Sequence, residues 1–305
     1  MQSIRRLPRG ELVRSAFADH MRQIGRFPGV MRYTAQGVRR VRNSPRKLSP
    51  ELTRPFTPPP SFMNHRVDAQ RKFATATLAL ADVKETAKHL GVTINDMVLA
   101  ISAGALRQLS FSYDGHADHP LLASVPVSFD FSPDRISGNR FSGVMMVVPI
   151  ELDDPLERVQ AVHDAAVNAK ETHHLLGPEL VSRWSPAYFP PAPAEWLFRW
   201  LASKDGQNKV LNIPISNVPG PREPGRVGGA LVTEIYSVGP LTTGSGLNIT
   251  VWSYVDQFNV SMLSDGATLL DPHELTDEMI NAFVEIRRAA GLSELLTVVE
   301  NAMAQ

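Results

Sequence analysis

Hydrophobic positions recur at helical spacing most clearly between Gly91 and Leu109, GVTINDMVLAISAGALRQL. Met97, Ile101 and Ala105 follow one stripe, Val98 and Leu99 widen it, and Ala100, Ser102, Ala103 and Gly104 are small enough for close approach. This pattern predicts a helix buried on most sides. Thr93 stands where an N-cap belongs and Asp96 three residues on, the spacing of a capping box. Asn95 and Asp96 therefore open a buried helix at the end where free amide hydrogens and the positive dipole end stabilise a carboxylate or another anion. A cap explains the pair, and contact with a ligand is the alternative.

The rest of the chain alternates between the two periods. KFATATLAL, from Lys72, alternates as a strand with Phe73, Thr75 and Thr77 on one face. A short helix over Ala81 to Leu90 precedes the long one. Leu121 to Phe129 and Phe141 to Ile150 read as strands, joined by a polar loop with Pro133, Arg135, Gly138 and Asn139. Asp154-Pro155-Leu156-Glu157 starts a helix to about Thr172. The region Pro178 to Lys204 reads as helical, and its Trp184, Phe189, Trp196, Phe198 and Trp200 suit a core or an acyl tunnel equally. Strands follow at Val210 to Asn217, Ala230 to Val238, Leu247 to Tyr254 and Phe258 to Leu263, with a tight turn at Val255-Asp256-Gln257. A helix from Asp271 to about Ala290 closes the order, which is that of a mixed α/β layer fold.

The first sixty residues differ in kind. Glu11 to Asn43 reads as one or two amphipathic helices broken near Phe27-Pro28-Gly29, and Ser44 to Pro60, with six prolines, as a linker. The expected division is a basic arm and linker over 1–60 and a folded lobe over 61–305. The formal net charge of zero hides an asymmetry, since residues 1–72 carry 16 Lys/Arg against 4 Asp/Glu. The arm can be a connecting segment against a further domain, a surface for anionic lipid, or a nucleic-acid arm; a basic amphipathic helix is weak evidence for base stacking, so no nucleic-acid partner is expected. The chain has no cysteine, which excludes disulfides and a thiolate zinc site and fits a reducing, cytoplasmic setting. No apolar run approaches the roughly eighteen residues of a membrane helix, so membrane contact is expected to be peripheral.

Candidate chemistry is sparse. Asp114, His116, Asp118 and His119 sit on a short polar loop without a rigid frame for a metal, and none is expected. Gly244-Ser245-Gly246 lacks the nucleophile-elbow frame, and no phosphate loop or dinucleotide fingerprint is present, so the sequence supports no esterase, kinase or dehydrogenase. Ser216-Asn217-Val218-Pro219-Gly220-Pro221 is more specific: prolines around a glycine fix a turn after a strand that ends in polar residues. A purely structural turn explains it equally. Thr242 to Gly246 is a second small, polar stretch where a ligand can approach backbone.

TINDMVLAISAGALRQ, PVSFD at 126–130, GNRFSGVMMVVPI at 138–150 and ISNVPGP at 215–221 occur in the order found in the bacterial wax ester synthase/acyl-CoA:diacylglycerol acyltransferase family, whose C-terminal half the chain resembles over about residues 60–290. The resemblance implies one lobe of the two-lobed CoA-dependent acyltransferase fold, as in chloramphenicol acetyltransferase. It implies acyl-CoA as substrate, with no cofactor, and diacylglycerol or a long-chain alcohol as acceptor. It also implies a separate lobe bearing the HHxxxDG motif, whose histidine acts as general base, and a place at a membrane or lipid-droplet surface. His173-His174 does not supply that motif, because Pro178 and Glu179 stand where Asp and Gly are required. Asn95, Asp96, Asn139, Ser216, Asn217, Thr243 and Ser245 are the candidates for a substrate channel, and no catalytic residue is expected. Two functions stay open: part of an O-acyltransferase, or a non-catalytic lobe that forms a channel wall and contacts lipid.

Overall fold

The computed structural model describes residues 8–44, 58–128, 141–177, 180 and 210–299. Helix α1 (Arg9–Arg42) runs unbroken through Pro28, where the sequence suggested a break. Proline removes one helical hydrogen bond, and the helix continues on both sides of it. Strand β1 (Lys72–Ala79) leads directly into α2 (Leu80–Leu90), which Gly91 ends in a left-handed conformation at φ 69°. Helix α3 (Ile94–Tyr113) follows and ends four residues beyond Leu109, where its pattern stopped.

Strands β2 (Leu121–Ser128) and β3 (Phe141–Val148) pair antiparallel. The loop between them, with Pro133, Arg135, Gly138 and Asn139, lies outside the described residues, as does the aromatic region around Trp184 to Trp200. Helix α4 (Pro155–Leu176) is capped by Asp154, which accepts from the Leu156 and Glu157 amides at 2.9 and 2.8 Å. Then come β4 (Ile213–Pro219), the short strands β5 (Arg226–Val227) and β6 (Ala230–Leu231), β7 (Leu247–Tyr254), β8 (Gln257–Ser264) and α5 (His273–Ala289).

Six strands form one mixed sheet in the order β1-β8-β7-β4-β2-β3. Its pairs are antiparallel except β7 with β4 and β4 with β2, which are parallel. Alternation gives the sheet two unlike faces. Leu78, Ile215, Ile249, Val251, Val260 and Met262 join α3 in the core, where Met97, Val98, Leu99, Ile101 and Leu106 are buried. Each such side chain contributes on the order of 1.5–3 kcal/mol. Gly104 lets α3 and α5 approach closely, since a Cβ there would stand 2.7 Å from that of Ala282.

The other face is polar: register places Thr75, Thr77, Ser216, Thr250, Asn259 and Ser261 together. The strand expected over Ala230 to Val238 survives only as Ala230–Leu231. Residues 232–240 cross this polar face as an irregular strap. Sheet side chains donate to its carbonyls, Tyr254 to Val232 at 2.7 Å, Gln257 to Thr233 at 3.1 Å and Asn259 to Ile235 at 3.2 Å. Backbone groups satisfied by side chains have no need of a ladder, which is why an alternating sequence here makes no strand.

Candidate functional site

The N-terminus of α3 carries the best-defined polar arrangement among the candidates. Thr93 Oγ1 accepts the Asp96 amide at 3.2 Å, and Asp96 Oδ2 accepts the Thr93 amide at 3.0 Å, closing the capping box. The same Oδ2 accepts from His163 Nδ1 of α4 at 2.9 Å. The Asp96 side chain is 2% exposed and that of His163 32%, so the carboxylate orients a ring that reaches the surface. Asp96 Oδ1 is buried with no partner among the described residues. Asn95, beside it, is half-buried.

A second histidine–carboxylate pair ties the segment before β1 to the end of β8. Asp265 Oδ2 stands 3.0 Å from His65 Nε2 and accepts the Asp68 amide at 3.0 Å. Its Oδ1 accepts the Thr268 amide at 3.0 Å and the Thr268 hydroxyl at 2.5 Å. Burial alone would raise the Asp265 carboxyl, but the bonds from Thr268, Asp68 and His65 outweigh it and hold the group below the usual carboxylate range. His65 Nδ1 also meets the Phe62 carbonyl at 3.0 Å. Both ring nitrogens are engaged within the lobe.

The other candidates lie apart from these. Ser216 pairs in register with Thr250 and Asn217 with Val251, so the first points to the polar face and the second to the core side. The turn after them is tied to the neighbouring hairpin: Gly220 donates to Ser253 Oγ at 3.2 Å, and Pro221 O accepts the Val255 amide at 3.0 Å. Ser245 is fully buried and donates to the Asn212 carbonyl at 2.7 Å. It belongs to an enclosed amide network, in which Asn64 donates to the Gly244 carbonyl at 3.0 Å and Asn212 to Asn64 Oδ1 at 2.6 Å. Thr243 is exposed at the adjoining turn. From Ser245 to Thr250, the partner of Ser216, is about 16 Å along an extended chain. Asn139 lies outside the described residues.

Sequence reading missed both histidine pairs, because the partners stand 67 and 200 residues apart. The available signal was indirect: a buried cap carboxylate such as Asp96 has more acceptor sites than its own helix fills. The loop Asp114 to His119 holds an exposed His116–Asp118 pair at 2.8 Å, and no group of metal-ligating side chains occurs among the described residues. His173 and His174 sit in the last turn of α4, where burial, with the adjoining His174 ring, holds the His173 ring below the usual imidazole range.

Residues 2–98 match the family model described as the wax ester synthase/diacylglycerol acyltransferase catalytic domain, and residues 137–287 the one described as the WS/DGAT C-terminal domain. The chain belongs to the wax ester synthase/diacylglycerol acyltransferase family. It is 70% identical over 295 residues to a Mycobacterium tuberculosis H37Rv protein with a provisional diacylglycerol O-acyltransferase name, matching 97% of this chain and 62% of that one. It is 32% identical to the O-acyltransferase WSD of Acinetobacter baylyi, over 71% of this chain and 46% of that one. The fold matches the wax ester synthase/diacylglycerol acyltransferase of Marinobacter aquaeolei VT8 with a TM-score of 0.62 at 25% identity, over 82% of this chain and 59% of that one. A protein of the enacyloxin polyketide synthase, solved for condensation domain-mediated chain release, shares the fold alone, at a TM-score of 0.50 and 14% identity, over 88% of this chain and 49% of that one. The chain thus spans about three-fifths of the first of these relatives, and its fold is one lobe of the CoA-dependent acyltransferase type.

Proposed function

We propose that this chain supplies the C-terminal lobe of an O-acyltransferase that moves an acyl group from acyl-CoA to diacylglycerol or a long-chain alcohol, giving triacylglycerol or wax ester. The observation that carries this reading is the 70% identity to the M. tuberculosis relative across nearly the whole chain. In the reaction the alcohol oxygen attacks the thioester carbonyl carbon, the carbon–sulfur bond breaks, and the hydroxyl proton passes by way of a base to the departing CoA thiolate. The acyl donor is itself a substrate, so the reaction calls for no further cofactor. A base must lie within about 2.6–3.2 Å of the hydroxyl, or one water away.

The polar sheet face suits a wall of the substrate channel. Ser216, Thr250 and Ser261 put hydroxyl groups on it, and Ser261 Oγ has no partner among the described residues. Asn95, Asp96, Asn217 and Thr243 remain candidates for contact with substrate, and Asn139 stands as one on sequence alone. Ser245 is the least suited of the set, because its hydroxyl is already committed inside the lobe. The proposed setting is cytoplasmic, at the surface of a membrane or lipid droplet, where diacylglycerol resides. The test is an assay with labelled acyl-CoA and diacylglycerol or hexadecanol in the presence of a histidine-bearing lobe; failure of both acceptors to take label would sink the reading.

A second reading, a lobe that contributes only a channel wall, is favoured by one observation. Of the two histidines with a buried carboxylate partner among the described residues, His65 faces acceptors at both nitrogens and His163 stands on α4, in the helix layer. Stoichiometric acyl-CoA binding without turnover, with the histidine lobe present, would establish it.

A further inference from the structure

No backbone–backbone hydrogen bond among the described residues joins residues 233–240 of the strap to the sheet. Side chains hold it instead: Asn259 donates to the Ile235 carbonyl at 3.2 Å and Asn248 to the Pro240 carbonyl at 3.4 Å. Asn259 stands two residues before Ser261 on β8, and Asn248 two before Thr250 on β7, all on the polar face. The strap between these ties therefore crosses Ser261 and Thr250, which are 1% and 4% exposed. Ser261 Oγ is buried with no partner among the described residues, although buried hydroxyls normally have one. Register makes these two part of a row. Thr75 on β1, Ser261, Thr250 and half-buried Ser216 on β4 lie side by side over about 14 Å, at about 4.8 Å between strands. No charged side chain stands in this row. The ionisable groups of the strap are Glu234 and Tyr236, whose hydroxyl meets Thr77 Oγ1 at 2.7 Å. Burial, the largest effect, pushes the Tyr236 phenol up, so it stays a neutral donor.

We infer that residues 232–240 are a lid, and that the hydroxyl row beneath them binds a neutral chain bearing carbonyl or hydroxyl groups. The inference rests on the reading of the polar face as a channel wall, and adds to it a ligand class and a moving part. The chemistry of the row selects that class. Each hydroxyl can give one hydrogen bond and take others, which suits ester, amide and alcohol groups spaced along a flexible chain. A phosphate would meet no cation in the row, and a bare hydrocarbon would leave the hydroxyls unpaired. Both proposed substrates contain a fitting part, the glycerol esters of diacylglycerol and the amide-bearing arm of acyl-CoA. The lid can lift while the sheet stays folded, because lifting breaks the side-chain bonds from Tyr254, Gln257 and Asn259 and leaves the β7–β8 ladder whole.

The chain has no cysteine, so the lid can be locked reversibly by an engineered pair. A Cβ on Gly239 would stand 2.7 Å from Asn248 Cγ, close enough for a disulfide between the two positions. The test is titration of dioctanoylglycerol, and separately of pantetheine, into the full chain carrying Gly239→Cys with Asn248→Cys, oxidised and then reduced. The reduced protein should bind one probe at least tenfold more tightly than the oxidised one, and the probe that responds tells which substrate part lies under the lid. Ser261→Ala, which removes a hydroxyl that has no partner in the closed lobe, should fold as the parent does and bind that probe about three- to tenfold more weakly. Equal affinity in the two redox states, or no binding of either probe to the reduced protein, overturns the inference. Should the cysteine pair fail to fold, unchanged affinity in Ser261→Ala overturns it. Redox-dependent binding without acyl transfer in the presence of the histidine-bearing lobe would sink the proposed function and leave the lid standing. Acyl transfer indifferent to the lock would do the reverse.

Discussion

One oxygen of Asp96 serves two helices: Oδ2 accepts the Thr93 amide at 3.0 Å, capping α3, and the His163 Nδ1–H at 2.9 Å, fastening α4 to it. The cap bond alone is worth about 0.5–2 kcal/mol. Loss of a second bond at a buried site adds roughly another 1–3 kcal/mol. Asp96→Ala should therefore destabilise the lobe more than Thr93→Ala, by about 2–3 kcal/mol in urea unfolding. A double-mutant cycle with His163→Ala should show coupling of about 0.5–3 kcal/mol. Additive effects of Asp96→Ala and His163→Ala would remove His163 from the account.

Asp265 sets a pH dependence whose sign follows from its depressed carboxyl. A carboxylate that is a stronger acid in the folded state stabilises the fold above its unfolded pKa, ordinarily about 3.9. That stabilisation is lost as the pH falls toward and through the lower folded value. Asp265→Asn should be less stable than the parent at neutral pH and should show a flatter decline below about pH 4. Parallel acid-unfolding curves for the two proteins would contradict this.

The strap over the polar face depends on side chains, so single substitutions should loosen it without unfolding the sheet. Asn259 donates to the Ile235 carbonyl at 3.2 Å, and the Tyr236 hydroxyl meets Thr77 Oγ1 at 2.7 Å. Asn259→Ala should cost about 1–3 kcal/mol. Hydrogen exchange in residues 232–240 should speed up in that variant, while β7 and β8 stay protected. Equal acceleration in strap and strands would mean that the strap is an integral part of the sheet.

What the sequence showed and hid divides along the range of the interactions. The cap at Thr93 and Asp96, the end of the short helix at Leu90 and the β7–β8 hairpin rest on residues a few positions apart, and each formed where its pattern put it. Pro28 misled, because a proline removes one helical hydrogen bond without having to end the helix, and α1 continues on both sides of it. Residues 232–240 misled for a related reason: alternation is satisfied by an extended chain, whichever groups take its hydrogen bonds. The family was legible from four motifs, but the partners of Asp96 and Asp265 were not, since only the packing of α4 on α3 and of residue 65 on the β8 end brings them together. Ser245 shows the limit of local chemistry: a small polar stretch looks open to a ligand in sequence, and the amide network around Asn212 encloses it.

The central claim is that this lobe takes part in acyl transfer while the general base comes from elsewhere in the catalytic domain. Removing a general base costs typically about 10²- to 10⁴-fold in rate. The direct measurement is transfer of label from acyl-CoA to diacylglycerol by the purified chain alone and after addition of the histidine-bearing lobe. The account predicts turnover at least about 100-fold higher with that lobe present. Full turnover by the chain alone, surviving alanine at His173 and His174 but lost on His163→Ala or His273→Ala, would contradict it.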